Sequence, residues 1–215
     1  MKAGRFILII MTLTTLFCSQ PKKNTDRNEV DSTAQIPPPK MIIDYQRTPA
    51  GNPIVFLKTT RGDIEIEVFE KDCPNHAGNF IKLVRNGFYD NLSFHRILPE
   101  TMVVTGDPRG DGSGNPGYFL DREVTPYPNK AGFVGMVPAE NGRVNGSQFY
   151  ILARDYPGLD SSVSCFARVT DGFENVVAMA ASPVENGKPK SKIKLMEAFL
   201  KPGETNPASS DTSIK

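Results

Sequence analysis

The stretches Phe94–Pro99 (FHRILP) and Asn145–Ile151 (NGSQFYI) are the most informative parts of this chain of 215 residues. The first sets the charged side chain of Arg96, and the second the side-chain amide of Gln148, beside apolar and aromatic residues. A guanidinium is always charged and donates several hydrogen bonds in a fixed geometry, and a side-chain amide both donates and accepts. The pair is suited to binding a peptide bond without covalent chemistry.

The residues around these stretches have the pattern of β-strands. In Ile64–Phe69, the apolar residues Ile64, Ile66 and Val68 alternate with Glu65, Glu67 and Phe69, the two-residue period of a half-buried strand. A turn at Arg61–Gly62 joins this strand to the apolar run Ile54–Lys58 as a hairpin. Six more strands are predicted at Phe94–Leu98, Met102–Thr105, Gly132–Val137, Gln148–Ala153, Cys165–Val169 and Lys192–Leu200. Eight strands in one domain indicate a sandwich or a barrel.

Two segments have a helical period instead. From Pro74 to Val84, apolar residues recur at intervals of three and four, and Phe173 to Ala180 repeats that spacing. Each helix would present a single apolar stripe, as expected of a helix that covers one opening of a barrel.

The two informative stretches resemble the signatures of the cyclophilin family of peptidyl-prolyl cis-trans isomerases. The resemblance covers about residues 53 to 200 and includes, in order, Pro74–Phe80, Gly87–Asp90, Gly106–Gly114, Leu159–Asp160 and Phe166–Val169. It implies a fold dominated by β-structure, an eight-stranded antiparallel closed β-barrel capped by two α-helices. The domain would span residues 46–201.

The resemblance also implies an activity: faster rotation about Xaa-Pro bonds of polypeptide substrates, with no cofactor. The family's catalytic arginine falls on Arg96 and its substrate-holding glutamine on Gln148. Taken alone, Arg96 has the alternative of a surface ion pair, and Gln148 that of a buried amide tying loop backbone. His95 is interpreted as structural, because a proton shuttle has no place in a bond rotation. The family's pocket positions for the proline ring fall on Thr101, Met102, Val104, Val137, Tyr150, Leu159 and Val163.

Several of these pocket positions depart from the family pattern. Thr101 stands where Phe is usual, Val104 where Gln is usual, Gly158 where many members have an aromatic residue, and Val163 where many have His. The loss of Phe removes apolar contact worth about 1–3 kcal/mol of ring binding. The alternative function is therefore a peptide-binding or chaperone module on the same fold with little turnover.

Composition excludes other classes of function. The formal net charge is +1, so no general attraction to nucleic acid or anionic membranes is expected. Two histidines and three cysteines without a Cys-x-x-Cys pair predict no metal site. The Gly-rich stretch 106–117 lacks the Lys-Ser/Thr ending of a phosphate-binding loop, which favours a turn-rich rim loop. Cys73 and Cys165 either form a disulfide or are two separate core cysteines.

The N-terminus indicates export. Lys2 and Arg5 precede the 12-residue apolar run Phe6–Phe17, which fits a signal peptide and is too short to span a bilayer. Cys18 follows it, as in bacterial lipoproteins, although Phe17 replaces the usual small residue; alternatively, Cys18 is an ordinary residue of the apolar run. The sequence predicts a signal peptide over 1–18, a tether over 19–45 and a disordered tail over 202–215.

From these features we expect a monomeric lipoprotein of the periplasm or outer membrane, held to the membrane by its N-terminal lipid. A further alternative is an adhesin-like surface protein in which the tether matters more than any groove.

Overall fold

The computed structural model describes residues 51–160, 163 and 165–202. The predicted signal peptide, Cys18, the tether and residues 203–215 of the predicted tail lie outside the described residues. Within the described ranges, no helix has the length and apolar character needed to cross a membrane.

Twelve strands and two α-helices make up this part of the chain. In chain order they are β1 (Ile54–Thr59), β2 (Ile64–Val68), α1 (Pro74–Arg85), β3 (Leu92–Ser93), β4 (Arg96–Leu98), β5 (Met102–Thr105), β6 (Phe119–Asp121), β7 (Phe133–Pro138), β8 (Arg143–Leu152), β9 (Cys165–Asp171), α2 (Phe173–Ala180), β10 (Val184–Glu185), β11 (Lys188–Pro189) and β12 (Lys194–Leu200). Single 3-10 turns lie at Glu140–Gly142 and Pro157–Leu159. The two predicted helices and the hairpin of β1 and β2 are confirmed.

Ten of these strands form one antiparallel sheet in the order β3-β12-β1-β2-β9-β7-β8-β5-β4, with β6 paired to β8, and β10 and β11 form a separate hairpin. The prediction of a mainly antiparallel fold with two helices is confirmed. The finer prediction of a closed barrel of eight strands is not: the sheet curls as an open path that ends at β3 and β4.

One end strand of this path, β4, lies within the predicted strand Phe94–Leu98, and the other, β3, directly precedes it. Phe94–Leu98 is not continuous, because the backbone changes partners within it. The Phe94 N–H bonds to Ile193 O at 3.0 Å, next to β12, whereas the Ile97 N–H bonds to Gly187 O at 2.7 Å, in the turn between β10 and β11. Phe94 and His95 therefore link the two end strands without pairing them to each other.

An aromatic cluster under α1 fixes the position of the second informative stretch. The Phe80 ring lies 5.1–5.3 Å from the rings of Tyr89, Phe149 and Phe166, measured between centroids. From Val144 to its end, β8 is buried on both faces, so its sequence lacks the apolar and polar alternation of a half-exposed strand. The helix covers one face of β8, and the candidate site lies on the other.

Candidate functional site

A groove of about 720 Å³ runs over β4, β5, β7 and β8. The strand register explains which residues meet there. Arg96 is opposite Val104, Val104 is opposite Tyr150, and Tyr150 is opposite Gly135. Side chains of directly opposed residues share one face of a sheet. A single row across four strands thus brings the guanidinium, a small apolar side chain and a phenol ring together, although they are far apart in sequence.

The Arg96 side chain lies in this groove and is exposed. Among the described residues, no carboxylate forms an ion pair with it, and none accepts a hydrogen bond from its guanidinium. The turn at Gly187 packs beside its stem, since a Cβ placed there would be 3.9 Å from Arg96 Cγ. The surface ion-pair alternative does not describe this geometry, and the guanidinium donors face the open groove.

Gln148 borders the groove from β8 but is only 3% exposed. Its Nε2 donates to Gly112 O at 3.1 Å and to Gly114 O at 2.6 Å, so both amide hydrogens bind the Gly-rich loop. This is the geometry of the alternative interpretation, an amide that ties loop backbone. Any contact of this side chain with a bound peptide has to use the Oε1 atom.

The Gly-rich loop forms the opposite wall, and the predicted turn-rich rim loop is confirmed. The buried Asp107 carboxylate accepts hydrogen bonds from the N–H groups of Arg109 at 2.8 Å, Asp111 at 3.0 Å and Gly112 at 2.5 Å. Asn145 adds a bond from Nδ2 to Gly114 O at 3.0 Å. Buried polar atoms that are paired in this way hold a loop in one conformation.

Five of the seven predicted pocket residues line the groove: Met102, Val104, Val137, Tyr150 and Leu159. Thr101 and Val163 do not, and each is only 2% exposed. The Thr101 hydroxyl donates to Pro99 O at 3.0 Å. Thr101 precedes Met102, whose side chain lines the groove, and neighbouring residues of an extended chain point to opposite sides.

Sequence reasoning missed an aromatic residue of the groove. Tyr156 lies beside Leu159 in the lining, and its N–H bonds to Asn129 O at 2.8 Å. It supplies ring surface beside Gly158, the position where many family members have an aromatic residue, since a Cβ at Gly158 would lie 4.0 Å from Tyr156 Cε1. The only hint in the sequence is an aromatic residue directly before Pro157, where the 3-10 turn begins.

The groove also has a charged end that the sequence did not indicate. Lys188 of β11 joins Arg96 there, opposite Asp111 of the Gly-rich loop. Burial is the main cause that lowers the pKa of His95, although the nearby Asp107 carboxylate opposes the shift. His95 Nδ1 is buried without a hydrogen-bond partner. His95 is therefore neutral at pH 7, and the charge at this end is carried by Arg96, Lys188 and Asp111.

The two described cysteines are separate. Cys73 and Cys165 are both buried free thiols, so the disulfide alternative is wrong and the core alternative is confirmed. Burial raises the pKa of Cys165 to about 12. Its thiol lies 3.4 Å from Asn129 Oδ1, which also accepts a hydrogen bond from the Tyr150 hydroxyl.

Comparison with known proteins assigns this chain to one family. The family model described as cyclophilin type peptidyl-prolyl cis-trans isomerase/CLD matches residues 54–199. A peptidyl-prolyl cis-trans isomerase of Synechococcus elongatus is 40% identical over 116 residues, which are 54% of this chain and 79% of the relative. One from Dictyostelium discoideum is 36% identical over 149 residues, 67% of this chain and 95% of the relative.

A solved structure gives the same result. The crystal structure of a cyclophilin type peptidyl-prolyl cis-trans isomerase from Cryptosporidium parvum, in the presence of the dipeptide Ala-Pro, matches with a TM-score of 0.65 and 30% identity. The match covers 69% of this chain and 98% of that chain.

Proposed function

Since this chain belongs to the cyclophilin-type peptidyl-prolyl cis-trans isomerase family, we propose that its Arg96 guanidinium is the group that accelerates rotation about Xaa-Pro bonds. The chain is a peptidyl-prolyl cis-trans isomerase. The observation that supports this role is the position of the Arg96 guanidinium, which lies in the groove in one row with Val104 and Tyr150. No described residue forms an ion pair with it.

The role of Arg96 follows from the energy barrier to rotation about the Xaa-Pro bond. Rotation about an Xaa-Pro bond is slow because amide resonance gives a barrier of about 18–20 kcal/mol. Arg96 would donate hydrogen bonds to the prolyl carbonyl oxygen and towards the prolyl nitrogen. As the bond twists, the nitrogen pyramidalises and its lone pair localises, so these bonds strengthen. A group that binds the twisted state more tightly than the planar states lowers the barrier.

The apolar lining would hold the proline ring beside Arg96. Met102, Val104 and Leu159 supply aliphatic surface, and Val137 borders the same groove. The rings of Tyr150 and Tyr156 add aromatic surface. This surface offsets the loss of the aromatic residues that the family pattern has at the positions of Thr101 and Gly158. Gln148 would accept a backbone N–H of the substrate through Oε1, because its amide hydrogens are bound to the loop. Proline-containing peptides are the substrates that fit, as the Ala-Pro dipeptide named for the Cryptosporidium parvum structure suggests.

The experiment that tests this role is exchange NMR on Xaa-Pro peptides with the full chain. Arg96→Ala is compared with Arg168→Ala, which removes an arginine of β9 that pairs with Glu67 outside the groove lining. We expect wild type and Arg168→Ala to accelerate exchange equally and Arg96→Ala to lose about 100-fold or more. Equal rates in all three folded proteins would assign the rate enhancement to other groups. Peptide binding without acceleration in wild type would leave the alternative of a binding module.

We propose further that the chain is an exported bacterial lipoprotein that works as a monomer on exported or surface proteins. The support is the N-terminal sequence, with two basic residues, an apolar run of 12 residues and Cys18. Expression in a bacterium with a labelled fatty acid tests the proposal. Label and membrane association are expected in wild type and in Cys165→Ser and are expected to be lost in Cys18→Ser. Label that persists in Cys18→Ser would refute lipidation at this residue.

A further inference from the structure

Three side chains converge at the start of α1, outside the groove lining: Cys73, His76 and Glu123. One ligand atom of each, Sγ, a ring nitrogen and a carboxylate oxygen, lies within 4.8 Å of the other two. Cys73 and His76 are three residues apart at the first helical turn, a spacing that puts side chains on one side of a helix. Glu123 comes from the segment after β6. Cys73, the N-cap residue of α1, and His76 are both completely buried.

His76 has a defined orientation. Its Nε2 lies 2.9 Å from the carbonyl oxygen of Asp121. A carbonyl oxygen only accepts, so Nε2 carries the ring hydrogen, and the 3.4 Å approach of the Glu123 N–H to this nitrogen is not a hydrogen bond. The lone pair is therefore on Nδ1. This arrangement, with one ring N–H on a backbone carbonyl, is how proteins orient a histidine that binds a metal through its other nitrogen.

The Nδ1 atom of His76 is buried and has no hydrogen-bond partner in the part of the chain that the structure describes. It points towards Glu123, with 3.9 Å between Nδ1 and Oε2. An unpaired buried acceptor costs about 1–3 kcal/mol, so a native structure commonly supplies it with a partner. The missing partner has to be a hydrogen-bond donor or a cation, and the groups around it are a thiol and a carboxylate.

Glu123 is held as a carboxylate. Its Oε1 accepts hydrogen bonds from the backbone and side-chain amides of Asn75, both at 2.9 Å. Its Oε2 accepts from the His76 N–H at 2.6 Å and from the Cys73 thiol at 3.0 Å. The N-cap residue Cys73 gives no side-chain cap, so Glu123 caps α1 instead.

We propose that Cys73 Sγ, His76 Nδ1 and Glu123 Oε2 bind one Zn²⁺ ion. Thiolate, imidazole and carboxylate are the three kinds of side chain that bind Zn²⁺ in proteins, at about 2.0–2.3 Å. These bond lengths imply about 3.3–3.7 Å between tetrahedral ligand atoms. The observed 3.0 Å from Sγ to Oε2 and 3.9 Å from Nδ1 to Oε2 differ from these separations by about half an ångström, and Sγ and the ring nitrogen lie within 4.8 Å of each other.

The binding step balances in charge. Zn²⁺ replaces the Cys73 thiol proton, which goes to solvent, and a zinc–sulfur bond takes the place of the S–H···Oε2 hydrogen bond. The thiolate and the carboxylate together neutralise the two positive charges of the ion, which offsets the unfavourable cation at a helix N-terminus. Water fills the fourth position, on the side where the Glu123 side chain is 14% exposed. The ion would tie the segment after β6 to α1.

The alternative is a hydrogen-bonded helix cap without metal. It accounts for Cys73 and Glu123, which already share a hydrogen bond, but it leaves His76 Nδ1 unpaired. The zinc site accounts for all three side chains. The sequence signal is a Cys-x-x-His pair at the beginning of a helix, a spacing that a search for paired cysteines does not find.

Metal titration of the full chain tests the proposal. Protein freed of metal by a chelator is titrated with Zn²⁺ by calorimetry and with Co²⁺ by absorption, which reports thiolate bonds by charge-transfer bands. We expect one equivalent of each metal and a thiolate band in wild type, Cys18→Ser and Cys165→Ser. Cys73→Ser keeps a hydroxyl that can donate to Glu123, and it is expected to lose the thiolate band and about 100-fold or more in Zn²⁺ affinity.

Two outcomes would overturn the zinc site. One is a wild-type chain that takes up no stoichiometric Zn²⁺, and the other is metal binding that persists in Cys73→Ser and disappears in Cys18→Ser. If Cys73→Ser does not fold, zinc X-ray absorption of the wild-type chain decides the question. A single sulfur among nitrogen and oxygen neighbours supports the site, and a shell without sulfur refutes it.

Discussion

The two walls of the groove are built by different means. On the sheet side, Arg96, Val104 and Tyr150 are placed by the register of β4, β5 and β8, so backbone hydrogen bonds fix their positions. On the loop side, single side chains hold the Gly-rich stretch 106–117, and Asp107 alone binds three backbone N–H groups. A side chain of the sheet wall can therefore change without altering the shape of that wall, whereas the loop wall depends on a few particular side chains.

The largest expected effect is on kcat/KM when Arg96 of the sheet wall is replaced. Arg96→Lys keeps the charge and the fold but replaces a planar set of donors by a single ammonium group. We expect kcat/KM to fall about 100-fold while the urea midpoint stays the same, because the side chain is exposed and unpaired with other described residues. Exchange NMR on Xaa-Pro peptides measures the rate. A loss smaller than threefold would show that charge alone is sufficient.

The second prediction concerns the loop wall. Asp107→Asn replaces a carboxylate that accepts three N–H bonds by a neutral amide, and we expect the free energy of unfolding to fall by about 1.5–3 kcal/mol. Urea denaturation measures it. Asp155→Asn is the matched control, since Asp155 accepts one bond, from the Ala131 N–H at 2.9 Å, at an exposed site. Equal losses in the two variants would contradict the special dependence of the loop on Asp107.

The third prediction separates the contribution of the Tyr150 ring from that of its hydroxyl group. Tyr150→Phe keeps the ring in the groove and removes the hydroxyl that donates to Asn129. We expect a loss of about 1 kcal/mol in stability, seen as a fall in Tm of about 2–4 °C. Because the ring remains, kcat/KM should change less than twofold. A large fall in kcat/KM with unchanged Tm would assign the hydroxyl to substrate binding.

The smallest expected effect is the pH dependence that His95 causes. Burial lowers the pKa of His95 in the folded chain, so below about pH 6.5 the unfolded chain binds a proton that the folded chain does not. Stability from this group is complete above the unfolded pKa and declines as the pH falls towards the folded pKa. We expect the free energy of unfolding to be lower at pH 5.5 than at pH 7.5 by less than about 1 kcal/mol.

His95→Gln is the variant for this measurement. It should reduce the pH difference in urea unfolding, because it removes the imidazole whose pKa burial lowers. An unchanged pH difference in His95→Gln would rule out the proposed effect of burial.

The parts of the site that follow from strand register were predictable from sequence. The family resemblance placed Arg96, Met102, Val104 and Tyr150 in one groove, and the structure has them there. Thr101 was misplaced because aligning residue positions does not say which way a side chain turns at the start of β5. The strand begins at Arg96 and not at Phe94 because the backbone partners change in between, and these partners lie in distant segments that no local pattern reveals.

Local sequence patterns also failed to predict Tyr156 and Lys188 in the groove and the separation of the two cysteines. Tyr156 enters the groove from a 3-10 turn, and Lys188 from a two-residue strand after an Asn-Gly turn, elements too short to have a period. Whether Cys73 and Cys165 meet depends on where α1 lies relative to β9. Such relations are set by tertiary packing and become visible only when all the elements are in place.

The way the sheet path ends has a consequence for aggregation. Unpaired edge strands invite a second chain to add by backbone hydrogen bonds. Here β3 is only two residues long, and β4 is bordered by the turn of the small hairpin, where the Ile97 N–H is already bonded to Gly187 O. An isomerase that handles extended polypeptides thus offers them side chains in a groove, while β4, the strand that carries Arg96, has little free backbone for an unfolded client to pair with.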